Sequence, residues 1–307
     1  MDSNQVLRHA VSLRIYAGMT KTLLCLGFGY TAQALAKRLL PRGWRVIGTA
    51  REPVTDAGIP MFQWPGEDIP LEGVSHILHS IAPADQGDPV LAAMAARIAA
   101  APDLRWFGYL STTAVYGDQD GAWVDEETPP APASLRGQWR VQAEQGWQAV
   151  PGLPLHIFRL AGIYGPGRGP FAKLMSGKAR RIIKPGQVFS RIHVDDIAQV
   201  LAASIAQPNP GAIYNVCDDV PVPPQDVLSY AAELLGLPMP PEVPFEEAAM
   251  TPMARSFYSE NKRVKNTRIQ EELGVNLRYP DHRTGLKAVF EAEDMEKFVP
   301  PVEPPAL

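Results

Sequence analysis

A doubly wound parallel α/β sheet is the architecture this sequence predicts, and three observations carry it. Strand-like apolar runs alternate with helix-like amphipathic stretches from residue 22 to about residue 216. The strand-like runs are apolar on both faces, as strands covered by helices on either side must be. The first of them ends in a glycine-spaced turn that leads straight into a helix.

Taken in order, TLLCLGF is the first strand and TAQALAKRLLPRG the helix after it, followed by the strand WRVIGTAR. Beyond a Pro-rich loop, HILHSIAP is a strand and DPVLAAMAARIAAA a helix. Asp88 suits its N-cap, because a short carboxylate can accept the unpaired N–H groups of the first turn, and Pro89 suits the first helical position. WFGYLSTTAVYG is the next strand, and ASLRGQWRVQAEQ is a helix in which Arg136, Arg140 and Glu144 stack one turn above another. LHIFRLAGIYG, RIHV, the helix DDIAQVLAASIA and AIYNV continue the alternation. From about residue 216 the rhythm changes to helical stretches (PPQDVLSYAAELLG, NTRIQEELG, HRTGLKAVFEAED) joined by Pro-rich connections. This predicts a smaller, mostly helical C-terminal lobe. Residues 1–18 are mixed in character and Met19 leads directly into the first strand, so Met19 is a candidate start and 1–18 an N-terminal extension.

The bulk properties exclude several classes. With 307 residues, 46% of them hydrophobic, the chain can bury the core of one large or two interlocked domains. The net charge of −4 comes without a long basic run, which argues against nucleic-acid or anionic-membrane binding. Cys25 and Cys217 lie in apolar strand-like runs and read as buried thiols, not as a disulfide or metal pair. The six histidines show no metal-ligand spacing paired with acids, so no metal is expected. No apolar stretch reaches the roughly 18–20 residues of a membrane span, and there is no secretory signal, so a cytoplasmic protein is expected.

The segment Gly27-Phe28-Gly29-Tyr30-Thr31-Ala32 has the G-x-G-x-x-A spacing. Its first glycine allows a tight turn, its second a close backbone approach, and the small Ala32 lets helix and strand pack, so the helix N-terminus faces a pyrophosphate. Dinucleotide binding is the reading. An NAD-specific site would place Asp or Glu at the end of the second strand, to accept from the ribose hydroxyls. Here stand Thr49, Ala50 and Arg51, a hydroxyl and a cation that suit a 2′-phosphate. NADP is therefore expected ahead of NAD.

STTAVYG (111–117) resembles the strand-five signature of the extended short-chain dehydrogenases/reductases, the NAD(P)-dependent epimerase/dehydratase family. DEETPPAP (125–132), RLAGIYGPG (159–167), RIHVDDIA (191–198) and YNVCDD (214–219) match further landmarks of that family in its order, over roughly residues 20–300. The resemblance implies a Rossmann-type domain (19–160 and 189–215) and a substrate lobe (161–188 and 216–298), with a Pro-rich tail at 299–307. It also implies cofactor contacts at Asp68 and Ile69 of GEDIP, at Ser80, Ile81 and Ala82 of SIAP, at Ser111, and along Leu160, Ala161, Gly162 and Ile163. The family's common dimer would use the helices at 88–101 and 135–150.

The family's catalytic Ser/Thr–Tyr–Lys set falls, by that resemblance, on Thr112, Arg136 and Arg140, with Glu144 fixing the register. From Gly117 to Leu155 there is no tyrosine, lysine, histidine or cysteine that a shifted register could supply. The pattern is similar to atypical members of the family. A guanidinium keeps its proton, so Arg136 can stabilise an oxyanion or clamp a carboxylate or phosphate but cannot act as a general base. Arg140 could keep the lysine's hydrogen bond to the nicotinamide ribose and so count among the cofactor residues. A proton would then come from Thr112 through water, or from Tyr116, Tyr164 or His193; Arg168 and Arg191 join these last three as substrate candidates, Arg168 in a cation-rich loop suited to an anionic substrate. The expectation is an oxidoreductase or epimerase/dehydratase-like enzyme with a non-standard proton donor, acting on a small hydroxylated or sugar-nucleotide substrate. The alternative is a catalytically inactive NADP-binding sensor or scaffold.

Overall fold

The computed structural model describes residues 21–54 and 57–292. The expected N-terminal extension and the Pro-rich tail lie outside the described residues. The chain forms two compact units. The first comprises the described residues up to Ser111 with Trp139–Phe158 and Ala198–Ile213; the second comprises Thr112–Gln138, Arg159–Ile197 and the described residues from Tyr214 on.

The first unit is built on a seven-stranded parallel sheet whose last strands run on into the second unit. Its strands are β1 (Thr22–Leu26), β2 (Arg45–Ala50), β3 (Met61–Gln63), β4 (His76–His79), β5 (Trp106–Thr112), β7 (Leu155–Leu160) and β11 (Ile213–Val216). They lie in the order β11-β7-β5-β4-β1-β2-β3. The chain therefore builds outward from β1 to β3, then crosses back to lay β4 on the other side of β1. The carboxyl ends of β1 and β4 at that reversal are the position where open α/β sheets take their ligands.

Three helices of the first unit are set by local chemistry and packing. Helix α1 (Tyr30–Leu39) starts at Gly29 with no side-chain cap and no acidic residue in its first turn, and buries Ala32, Leu35 and Leu39. Helix α2 (Pro89–Ala99) starts as its sequence predicts: Asp88 accepts the N–H groups of Val90 and Leu91, and Pro89 occupies the first turn. Helix α3 (Leu135–Gln148) runs through the cut between the units, and its second half places Ala143 and Trp147 in the first unit's core beside Phe107, Tyr109, Val90 and Met94.

In the second unit, short strand pairs accompany the helices that the sequence predicts. These are β8 (Gly162–Tyr164) with β10 (Arg191–His193), β9 (Arg181–Ile183) with β12 (Glu242–Pro244), and β6 (Trp123–Val124) with β13 (Arg263–Val264), all parallel. With two or three residues each, they lack the length that a periodicity reading needs. The helices are α4 (Phe171–Met175), α5 (Val194–Ala206, which passes on into the first unit), α6 (Pro224–Leu235), α7 (Pro252–Phe257), α8 (Thr267–Glu271) and α9 (His282–Ala292). Tyr164, Phe171, Leu174, Val227, Ala231, Leu286 and Val289 form the unit's core.

Candidate functional site

In the first unit the glycine turn sits at the carboxyl end of β1, braced from both neighbouring strands. The Gly27 N–H donates to Thr49 Oγ1 at 2.8 Å, and the Phe28 N–H donates to the Thr49 carbonyl at 2.8 Å. From the β4 side, the Ser80 hydroxyl donates to the Gly27 carbonyl at 2.6 Å. Gly27 has φ +89°, and a Cβ there would stand 2.8 Å from Ser80 Oγ and 3.0 Å from Ile81 Cγ1. Only glycine meets both conditions. Around Gly29 the space is open, with nothing within 4 Å of the position a Cβ would take.

This geometry fits a dinucleotide. A helix N-terminus with neither a side-chain cap nor an acidic first turn, entered from an open glycine, presents N–H groups and the positive end of the helix dipole to an anion. Tyr30 is half-buried, while Thr31 and Ala32 are buried where α1 packs on the sheet.

The residues expected to read the adenosine end differ in their situations. Thr49 is 1% exposed and its hydroxyl oxygen takes the Gly27 N–H, so it shapes the turn. Arg51 is exposed, and its guanidinium has no partner among the described residues. Asp68 is exposed and pairs with Arg97 of α2 at 2.7 Å; Arg97 also donates to the carbonyl of the buried Ile69. Ile81 is half-buried and Ala82 exposed.

At the carboxyl end of β5, Ser111 is buried and donates to the buried Glu144 carboxylate at 2.5 Å. Arg140 reaches β5 through one nitrogen, NH1, which donates to the Leu110 carbonyl at 2.6 Å and to the Tyr109 hydroxyl at 3.1 Å. Those bonds use both N–H groups of NH1 and leave Nε and NH2, with three more, outside them. Arg140 thus holds helix to sheet with part of its fork. Beneath it, sequence reasoning missed a buried knot. Asp88 Oδ2 takes both His79 Nε2, at 2.8 Å, and Trp147 Nε1, at 3.0 Å, while Oδ1 caps α2. The N-cap was legible from Asp88-Pro89, but the two ring donors come from distant segments and leave no local signal.

In the second unit Thr112, half-buried, caps the short 3₁₀ turn Thr113–Tyr116 by accepting the Ala114 N–H at 3.2 Å. Arg136 is exposed and its guanidinium has no partner among the described residues. The other expected proton sources are buried and engaged. Tyr116 is fully buried, donates to Asn215 Oδ1 at 2.7 Å and accepts from Arg159 at 3.0 Å; burial pushes its phenol up to about 12 despite that cation. The Tyr164 hydroxyl lies 3.4 Å from the Asp281 carbonyl, and burial, with Asp218 nearby, raises its pKa well above the usual phenol range. His193 is 2% exposed, accepts the Asp195 N–H on Nδ1, and is held neutral by burial, which lowers it to about 4. The hydroxyls and ring therefore act as struts.

Arg191 donates to the carbonyls of Phe189 and Val222, and Arg168 is exposed in a turn closed by paired backbone bonds to Gly165. Leu160 and Ala161 are buried, the Ala161 N–H reaching the Val216 carbonyl; Gly162 and Ile163 lie on β8. Among the described residues no group of three or more His, Cys, Asp or Glu side chains is placed to hold a metal ion, and no helix is long and apolar enough to cross a membrane.

A segment absent from the expected site also converges on this turn. Residues 259–266 (SENKRVKN) strap it to its neighbours: Lys262 Nζ donates to the Gly117 carbonyl at 2.7 Å and to Glu260 Oε2 at 2.6 Å. Asn261 accepts the N–H groups of Gln119 and Gly121 on its carbonyl and that of Val188 on its side chain.

No family model matches the chain. Protein YeeZ of Escherichia coli K12 is 29% identical over 287 residues, which is 85% of this chain and 97% of that protein. A 3-diazoavenalumate denitrifying reductase of Streptomyces is 26% identical over 70% of this chain and 69% of its own. Among solved structures, a functionally unknown conserved protein from Silicibacter pomeroyi superposes with a TM-score of 0.86 at 66% identity, covering 89% of this chain and 99% of that one. At that identity the two chains belong to one family. Human epimerase family protein SDR39U1, solved with NADPH, gives a TM-score of 0.71 at 18% identity over 88% of this chain and 99% of its own. The dTDP-glucose 4,6-dehydratase of Bacillus anthracis, solved with NAD, gives 0.72 at 17% over 91% and 97%. The fold is that of the NAD-dependent epimerases and dehydratases.

Proposed function

We propose that this chain binds NAD(P), NADP by preference, and acts as an oxidoreductase or epimerase/dehydratase-like enzyme on a small hydroxylated or sugar-nucleotide substrate. The carrying observation is the glycine turn, braced by Thr49 and Ser80 at the reversal of strand order and opening onto the uncapped start of α1. In this reading Gly27–Ala32 receive the pyrophosphate, the exposed Arg51 the 2′-phosphate, and Asp68 with Ile69 the adenine side. When bound, the nicotinamide supplies hydride chemistry. Structural relatives that carry NAD or NADPH, and a relative named as a reductase, support the oxidoreductase class.

Equilibrium titration of NADPH and NADH by fluorescence tests this. The expected result is tighter binding of NADPH, with Arg51→Ala losing about 1–2 kcal/mol toward NADPH and little toward NADH. Equal affinity of the wild type for both cofactors would remove the NADP preference; binding of neither would remove the proposal.

One observation favours the second reading, an inactive sensor or scaffold: Tyr116, Tyr164 and His193 are all buried and hydrogen-bonded, and Arg136 keeps its proton and cannot release it in their place. In that case NADPH binds without turnover, and a protein partner is gained or lost as the cofactor is oxidised.

A further inference from the structure

We infer that Gln63 is a positioning residue for cofactor choice: by holding the Arg51 carbonyl it sets Arg51, and not its neighbour Glu52, at the place of the 2′-phosphate, and in this it rests on the NADP reading above. Every residue involved lies in the first unit. Thr49, which takes the N–H groups of Gly27 and Phe28, is followed directly by Ala50 and Arg51. The chain that leaves β2 therefore starts from the braced glycine turn.

β2 and β3 run parallel with Ala50 opposite Gln63, and the Trp64 N–H donates to the Ala50 carbonyl at 2.8 Å. Beyond that bond the chain bends at Arg51 and Glu52. The next carbonyl, that of Arg51, is taken by the Gln63 side chain, whose Nε2 donates to it at 3.1 Å. Gln63 is itself held by both of its backbone groups. Its N–H donates to Glu67 Oε2 at 2.6 Å, and its carbonyl accepts the Glu67 N–H at 2.9 Å. The amide thus reaches Arg51 from a backbone that is fixed independently of it.

The pin matters because opposite charges follow one another here. Arg51 and Glu52 are both exposed. Side chains of adjacent residues point in different directions, so the setting of the peptide between them decides which one faces a given spot. A cation facing the adenosine ribose pairs with a 2′-phosphate; a carboxylate there repels it and accepts instead from the free ribose hydroxyls. The Arg51 carbonyl belongs to the peptide between the two, and the bond from Gln63 opposes its rotation. Gln63 acts in this way without touching the cofactor.

The experiment titrates the full chain with adenosine 2′,5′-bisphosphate and with adenosine 5′-phosphate by isothermal calorimetry. Neither probe carries a nicotinamide, so the readout is binding at the adenosine end alone. The wild type should bind the bisphosphate more tightly. Gln63→Met keeps the length of an exposed side chain and removes its donor, so the core stays intact. It should weaken the bisphosphate about 3-fold or more and weaken adenosine 5′-phosphate by less than about twofold. Arg51→Ala should weaken the bisphosphate about 10-fold, and Gln63→Met should then cost nothing further, because it acts through Arg51. A merely structural role would lower affinity for both probes together. A parallel loss toward both probes, an unchanged Gln63→Met, or losses that multiply in the double variant, which would make Gln63 a phosphate contact of its own, would each overturn the inference. A wild type that binds the two probes alike removes the NADP preference and the role of Gln63 with it, whereas binding of neither counts against the proposed function as a whole.

Discussion

Thr49 has a task in the glycine turn that its sequence position does not announce. Its position at the end of β2 is legible from the spacing after Gly27, but its hydroxyl faces the turn, where it accepts the Gly27 N–H. A buried donor left without its acceptor costs about 1–3 kcal/mol, so Thr49→Val, nearly the same shape, should lower stability by that amount in urea denaturation. It should also weaken NADPH binding, because the turn that receives the phosphates loosens. Asp218 makes the opposite case. Burial pushes its carboxyl up to about 8, against the pull of Arg191, and neither oxygen has a hydrogen-bond partner among the described residues. The folded state therefore holds a proton that the unfolded chain releases near pH 4, and stability falls as pH rises through that window. Asp218→Asn should raise the melting temperature, with a gain that grows from pH 4 to about 8 and levels off above.

At the scale of elements, glycines separate what can be refilled from what cannot. A Cβ at Gly146 of α3 would stand 2.3 Å from Leu91 Cδ2, the far end of a flexible side chain on α2. At Gly117 the obstacle is a backbone carbonyl, and φ is positive as well. Gly146→Ala should therefore cost less than about 1 kcal/mol, whereas Gly117→Ala should cost roughly 2–4 kcal/mol; chemical denaturation of the two side by side checks the ordering. Helix α2 adds a pH dependence of its own. Burial raises the Asp88 carboxyl, but the bonds from His79, Leu91 and Trp147 outweigh it and hold the group below the usual carboxylate range. Its stabilising contribution is present above the unfolded carboxylate pKa and is lost as pH falls through the folded one. Asp88→Asn should flatten that acid limb of the stability curve.

For the whole molecule, the sequence carried most of the first unit and less of the second. Long alternating runs of apolar residues specify β1, β2, β4, β5 and β7 and the helices between them, because burial on both faces leaves a continuous signal. The glycine turn was readable for the same reason: its chemistry lies within six consecutive residues. The second unit is held by two- and three-residue strand pairs and by the SENKRVKN strap, whose longer-range partners lie 47 to 145 residues away in sequence. Such contacts have no local pattern. Lys262 could have been noticed as a lysine in a polar run, but nothing in the run says that it meets Gly117.

The two helices that follow β1 and β4 are finished in opposite ways. Asp88 closes the start of α2 with a carboxylate, while α1 begins at a glycine with open space around it. A chain selected only for durability would have closed both. Gly29 has an extended backbone, φ −92°, that an aspartate can adopt, so Gly29→Asp should cap α1 and stabilise the free protein by about 0.5 kcal/mol. The same carboxylate would repel a phosphate, and NADPH titration should show binding lost as thermal stability rises. That trade between endurance and readiness is written into a single missing side chain.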